Sequence, residues 1–174
     1  TINLVARSTL DQLWTRHVLD SAQLLKLMPA ARSWLDLGSG GGFPGAVIAI
    51  VMAERGGSVE LVESNGKKAA FLREAVRVTR APAVVEAIRI EKFVANFSAV
   101  PDVVTARALL PFKSLLDQSF YPLSRGALGL FPKGQDVAAE LTQAAKYWNI
   151  DYTLAPSRTD SLARIIVVRG LKRL

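Results

Sequence analysis

The residues able to do chemistry cluster around Asp36. It is followed by Gly38, Gly40, Gly41, Gly42 and Gly45, with Pro44 standing just before a long apolar run. Glycines at that density let the chain turn tightly and let another molecule approach the main chain. A helix opening at Pro44 presents free N–H groups that suit an anion. A carboxylate such as Asp36 can hold a cation, directly or through water, while the N–H groups hold a carboxylate. Glu63 closes the next apolar run, where a carboxylate can accept from two ribose hydroxyls; the alternative is an exposed strand-end acid. After the third run come Arg89-Ile90-Glu91, a natural place to clamp an adenine. Arg107 and Lys133 close the fourth and fifth runs and suit an anionic substrate, unless they are solvated loop charges. Arg16, His17 and Asp20 fall within one helical turn, with Arg16 and Asp20 spaced as an i, i+4 pair. The plainer reading of that trio is a surface ion pair beside a partly buried histidine.

Composition narrows the chemistry. The chain has 174 residues, one histidine and no cysteine. Disulfides, thiolate metal sites and multi-histidine metal sites are excluded, and little room remains for a Ser-His-Asp hydrolase; no metal is expected. A formal net charge of +7 suits an anionic partner such as nucleic acid; the alternative is a merely basic soluble protein, and charge alone leaves the two even. The longest apolar run, 46–53, is too short to cross a bilayer, so no membrane is expected. Nothing at the N-terminus resembles a signal peptide, and a cytoplasmic protein is expected.

The elements that must position these residues read as follows. Residues 8–28 form an amphipathic helix, capped by Ser8, with Leu10, Leu13, Trp14, Val18, Leu25 and Met28 at helical spacing. From Trp34 the chain alternates. Strands are expected at 34–38, 58–63, 83–88, 102–105 and 127–131. Helices fall at 44–55, 67–79 (Phe71, Leu72, Ala75 and Val76 inward), 91–97, 112–119 and 136–148. Two late strands, 152–154 and 163–169, have no helix between them. The expected fold is α/β: a mostly parallel sheet with helices on both faces and an antiparallel edge. Residues 1–32 are expected as a helical segment packed on a core of 33–174, one domain in all.

Two patterns compete for the glycine cluster. Gly40-x-Gly42-x-x-Gly45 fits a dinucleotide fingerprint by letter, with Glu63 about 20 residues on. That register sets its glycines too late, because the strand already ends at Gly38. Asp36-x-Gly38-x-Gly40-x-Gly42 fits the strand end and resembles the S-adenosylmethionine loop of Rossmann-like methyltransferases. A nicotinamide-dependent oxidoreductase stays as a rival, as does a non-catalytic RNA-binding module on a methyltransferase fold.

Further stretches carry a more specific resemblance. They are Asn3-Leu4, Arg16-His17-Val18-Leu19-Asp20-Ser21, the glycine loop ending Phe43-Pro44-Gly45, and Glu63-Ser64-x-x-Lys67-Lys68. Phe71-Leu72-Arg73, Arg89-Ile90-Glu91-x-Phe93, Ala106-Arg107-Ala108 and Lys133-Gly134-Gln135 continue it. Together they resemble the RsmG (GidB) family, which methylates guanine N7 in the 530 loop of 16S ribosomal RNA. The resemblance implies a Rossmann-like methyltransferase fold, S-adenosylmethionine as cofactor, and 16S RNA or the small ribosomal subunit as partner. It sets Gly38, Phe43, Ile90, Glu91 and Arg107 at cofactor-contact positions, beside Asp36, Gly40 and Glu63. Arg16, His17 and Lys133 fall at positions suited to RNA or substrate. Three residues depart from the family: Glu63 stands for a common Asp, Val5 for Thr and Pro132 for Leu. The family also has a helical segment before Asn3, so a longer parent chain is expected. Guanine N7 has a lone pair and no proton, so alignment alone serves and no general base is needed. Arg107 or Lys133 would hold guanine O6, Asp20 would face the charge that develops on the ring, and His17 would not be a proton acceptor.

Overall fold

The computed structural model describes residues 3–174. A 3₁₀ turn at Arg7–Gln12 and a π-helical turn at Leu13–Leu19 lead into two short α turns, α1 (Asp20–Ala22) and α2 (Leu24–Leu27). Strands and helices then alternate as β1 (Ser33–Leu37), α3 (Gly45–Arg55), β2 (Ser58–Val62), α4 (Gly66–Thr79), β3 (Ala83–Glu86) and α5 (Ile90–Asn96). They continue as β4 (Val103–Thr105), α6 (Phe112–Ser124), β5 (Leu128–Lys133), α7 (Val137–Ala144), β6 (Trp148–Pro156) and β7 (Arg164–Arg173). The strands make one seven-stranded sheet in the order β3-β2-β1-β4-β5-β7-β6. β1 to β5 run parallel, while β7 is antiparallel to both β5 and β6. Strand order reverses between β1 and β4, which opens a crevice beyond their carboxyl ends.

Period-2 side-chain alternation builds two cores. Leu35, Leu37, Val62, Val104, Phe131 and Ile166 point to one face, against Ile90 of α5, Phe112, Leu115 and Leu116 of α6 and Leu141 of α7. Trp34, Val59, Leu61, Val103, Leu130 and Ile165 point to the other, against Leu24 and Leu25, Ile48 and Met52 of α3 and Leu72 of α4. Asp36 shares the parity of Trp34, so its side chain is sent toward α3.

The N-terminal helix differs most from its sequence reading. It is broken into 3₁₀, π and α turns, and Ser8 does not cap it: the residue preceding the first turn is Ala6, with no side-chain cap. Its expected apolar stripe is only half used, since Leu25 is buried while Leu10 and Trp14 are exposed. Phe71, expected inward, is also exposed. Pro44 precedes the first turn of α3 rather than opening it. α6 runs past Ser119 through Pro122 to Ser124, because Leu123 and Pro122 are buried and packing outweighs one lost amide. α7 stops at Ala144, and Trp148 instead starts β6, where its Nε1–H donates to Asp117 on α6 at 3.2 Å. Pairing with β7 along its whole length extends β6 well beyond the expected three residues.

Candidate functional site

A cleft of about 1130 Å³ lies over the carboxyl ends of β1, β2, β4 and β5. The glycines at its floor do different jobs. Gly38 and Gly40 line it with φ of +69° and +55°, a conformation that glycine adopts without steric cost. A side chain on Gly41 would meet the Leu4 carbonyl oxygen at 2.4 Å, so that glycine admits the N-terminal segment. A side chain on Gly45 would meet Asp36 Oδ2 and Leu61 Cδ2, each at 2.4 Å; that glycine admits the core.

The two carboxylates of this wall are built into the loop. Asp36 is 1% exposed and is not in the cleft lining. Its Oδ2 accepts the N–H of Gly45 at 3.2 Å, at the positive end of α3. Its Oδ1 is buried without a partner among the described residues. Burial pushes the carboxyl up to about 7. Glu63 does line the cleft; it accepts from Gly40 N–H at 2.8 Å and from Asn65 N–H at 2.7 Å. It therefore braces the glycine loop against β2 and keeps lone pairs for a further donor.

Packed against Phe43 of the glycine loop, a relay of side chains centred on Arg107, just past β4, also lines the cleft. Arg107 Nη1 donates to the Arg16 carbonyl at 3.0 Å and to Asp20 Oδ2 at 3.3 Å, and Nη2 donates to His17 Nδ1 at 2.9 Å. The guanidinium also lies 5.5 Å from the centre of the Phe43 ring, and the His17 ring 5.1 Å from it. Arginine can only donate, so His17 Nδ1 accepts and its proton sits on Nε2. That proton goes to Thr9 Oγ1 at 2.9 Å, and the Thr9 hydroxyl hydrogen goes on to the Ala6 carbonyl at 2.8 Å. Burial and the Arg107 charge hold the imidazole below its ordinary value. Asp20 Oδ1 accepts from Thr159 at 2.7 Å and from Gln23 at 2.8 Å, tying the β6–β7 loop to this relay. The ion partner of Asp20 is thus Arg107 rather than Arg16. Lys133, at the end of β5, gives two of its three hydrogens to Glu140 Oε2 at 2.7 Å and the Leu110 carbonyl at 3.1 Å, which leaves one for the cleft.

Arg16, His17, Asp20, Gly38, Gly40 and Phe43 all line this one cleft, as do Glu63, Arg107 and Lys133. Asp36 stands behind its loop, and Ile90 and Glu91 lie outside its lining: Ile90 packs in the core and the exposed Glu91 accepts from Gln118. Leu109, which covers Gly38, and Glu140 and Thr159, which hold Lys133 and Asp20, carry no signal in the chain order. Each meets its partner only through the sheet. Among the described residues no group of three or more His, Cys, Asp or Glu could hold a metal ion, and no helix is long and apolar enough to cross a membrane.

Sheet order, glycine loop and strand-end acid define a Rossmann-like methyltransferase fold. A ribosomal protein L11 methylase from Lactobacillus delbrueckii subsp. bulgaricus superposes with a TM-score of 0.62 at 16% identity, over 87% of this chain and 77% of that one. A mutant of MtNAS in complex with S-adenosylmethionine does so with a TM-score of 0.63 at 14% identity, over 96% and 68%. The chain belongs to the GidB family, rRNA small subunit methyltransferase G, whose profile matches residues 1–163. Ribosomal RNA small subunit methyltransferase G of Bradyrhizobium diazoefficiens is 58% identical over 158 residues, 90% of this chain and 61% of that protein. Its namesake in Methylobacterium radiotolerans is 53% identical over 169 residues, 97% of this chain and 80% of that protein.

Proposed function

We propose that the protein is an S-adenosylmethionine-dependent methyltransferase acting on N7 of a guanine in the 530 loop of 16S ribosomal RNA, alone or in the small subunit. One observation carries this reading: the family match runs through the glycine loop and the Arg107 relay, which line a single cleft. The relatives bear the name of a small-subunit ribosomal RNA methyltransferase. The same reading puts the protein with the ribosome in the cytoplasm.

The residues present fit the cofactor. Gly38 and Gly40 expose main chain to the cleft for its amino acid end, and Glu63 has lone pairs left for ribose hydroxyls. Phe43 and Arg107 complete that end, and Asp36 acts from behind by holding the start of α3. S-adenosylmethionine, when bound, supplies an electrophilic methyl group on a sulfonium sulfur. The chain's own task is then to bind the guanine edge and keep it in line. The remaining Lys133 hydrogen suits an acceptor such as guanine O6. The charge of Asp20 is already shared between Arg107, Gln23 and Thr159, so it steadies the relay instead of facing the base. Both ring nitrogens of His17 are engaged, which leaves it no lone pair for taking a proton from substrate.

The test is methyl transfer from labelled S-adenosylmethionine to small ribosomal subunits and to naked 16S RNA, with the modified nucleotide mapped. N7 of one guanine in the 530 loop is expected. With enzyme and cofactor saturating, the single-turnover rate should be nearly flat from about pH 6 to 9, across the ordinary histidine range. A tenfold rise per pH unit that His17→Gln abolishes would identify a base, and so a different acceptor atom.

A further inference from the structure

The cleft receives an anionic substrate in the reading above, yet five of its lining residues are acids: Asp20, Asp136, Asp160, Glu63 and Glu140. Asp20 and Glu63 each have both oxygens engaged within the protein. Asp160 Oδ1 accepts the Leu162 N–H at 2.9 Å, and Asp136 is exposed. Glu140 differs, because one of its oxygens does all the holding. Oε2 accepts from Phe112 N–H and from Lys133 Nζ, each at 2.7 Å, which ties the side chain to both α6 and β5. Oε1 has no hydrogen-bond partner among the described residues, on a side chain that is 29% exposed.

Oε2 has a structural use. α6 opens at Phe112 after Pro111, with no side-chain cap and no acid in its first turn, and Glu140 brings the missing negative charge from α7. Oε1 takes no part in that. It is an acceptor on the same carboxylate that holds Lys133, whose third hydrogen is a donor. A nucleobase that matches the pair carries an acceptor and a donor side by side. Guanine does, with O6 next to N1–H and with N7 on the other side of O6. Adenine carries an N6 amine and an N1 lone pair there, which sets donor against donor and acceptor against acceptor. Uracil offers O4 beside N3–H but has no N7.

We propose that Glu140 is a specificity-determining residue: its Oε1 accepts N1–H of the target guanine while Lys133 donates to O6. The pair reads the base on one side of O6 and leaves N7 on the other side for the methyl group. A site built to accept from N1–H rejects a base without it, because the carboxylate oxygen is then desolvated and unpaired. The inference rests on the guanine reading and deepens it by naming the group that tells guanine from adenine.

The test changes enzyme and base together, in whichever of naked 16S RNA and reconstituted small subunits takes the methyl group. The target guanosine is either natural or replaced by N1-methylguanosine, which keeps N7 and O6 and lacks N1–H. Wild type should lose roughly 10- to 100-fold in kcat/KM on the modified base, the loss expected for one charged hydrogen bond. Glu140→Ala should be slower on natural guanosine and nearly indifferent to the modification. Glu140→Gln keeps an oxygen for Phe112 and turns an NH2 toward the base. Its urea midpoint and calorimetric S-adenosylmethionine affinity should stay near wild type, while transfer to natural guanosine falls by a similar factor. If Glu140 only caps α6, Glu140→Ala slows transfer to both bases alike and keeps the wild-type ratio between them; that result overturns the proposal. Wild-type transfer by Glu140→Gln, or equal use of the two bases by the wild-type protein, also overturns it and leaves the methyltransferase reading intact. Failure of the wild-type protein to methylate N7 of any guanine would overturn both.

Discussion

Two aspartates on neighbouring strands, at opposite ends of the sheet, live under opposite conditions. Asp102, just before β4, accepts the main-chain N–H groups of Arg32 at 2.7 Å and Ser33 at 2.9 Å, and its own N–H donates to Ser33 Oγ at 2.8 Å. Those two N–H groups hold its carboxyl below the usual range. Asp36, near the end of β1, has one N–H on one oxygen and nothing on the other, and burial pushes it up to about 7. The amino edge of the sheet closes on itself: strand ends there need only be tied together. The carboxyl edge keeps polar capacity unspent in Asp36, in Glu63 and in the third hydrogen of Lys133. Helix N-termini and strand ends converge on that side, so it is the edge where a ligand is received.

The sharpest way to break this comparison is to fill the carboxyl edge. Gly45→Ala drives a methyl group into Asp36 and Leu61, and we expect a loss of roughly 1–3 kcal/mol, read as a lower urea midpoint. Gly66→Ala is the control, because a side chain there meets nothing within 4 Å; its midpoint should hold or rise slightly. A Gly45→Ala protein as stable as wild type would mean that Asp36 is not clamped against α3.

A smaller effect is expected at the other edge. Asp102→Ala removes an acceptor from two main-chain donors and should cost about 1–2 kcal/mol at neutral pH. The folded carboxyl is depressed, so its contribution is present above the ordinary aspartate value and lost as pH falls through the folded one. The gap between variant and wild type should therefore narrow in acid. A gap that stayed constant down to the acid transition would remove the charge from the account.

The third effect carries the opposite sign. Asp36 has a raised carboxyl value, so the wild-type fold loses stability as pH climbs from about 4 toward 7. Asp36→Asn keeps the shape and discards the charge. Its melting temperature should match or exceed wild type at pH 8, and the advantage should vanish below about pH 5. An Asn variant that melts lower at pH 8 and equally in acid would show that the charged form is the stabilising one.

The candidate site was legible where local backbone geometry demands particular residues. A strand end followed by Asp36-x-Gly38-x-Gly40 can be read because tight positive-φ turns leave few choices of residue. Glu63 could be placed because a strand's last residue faces the same edge as its neighbour's. The N-terminal stretch departs from what its apolar spacing predicts for a complementary reason. Its apolar spacing fits a helix, yet Trp14 and Leu10 face water. The turns there are instead shaped by the Arg107 contacts, which come from about ninety residues further along the chain. Ile90 and Glu91 mark the same limit: their order after β3 is readable, but whether they reach the cleft depends on how α5 packs.

Period-2 runs broken by glycine and proline were enough to place an α/β sheet with both faces covered, because alternation is a property of one strand alone. They could not assign partners. Gly41 and Gly45 look like ligand glycines in the string, and folding gives one to Leu4 and the other to Asp36. Lys133 reads as a free cation, and α7 brings Glu140 to it. Asp20 reads as the partner of Arg16 and finds Arg107 and Thr159, 87 and 139 residues away. Near-neighbour sterics act within a turn or a strand and leave a trace in the order of residues. Charge pairing and close packing act across the sheet, where β4 lies beside β1 and β7 beside β5, and only the assembled strand order brings those groups into reach.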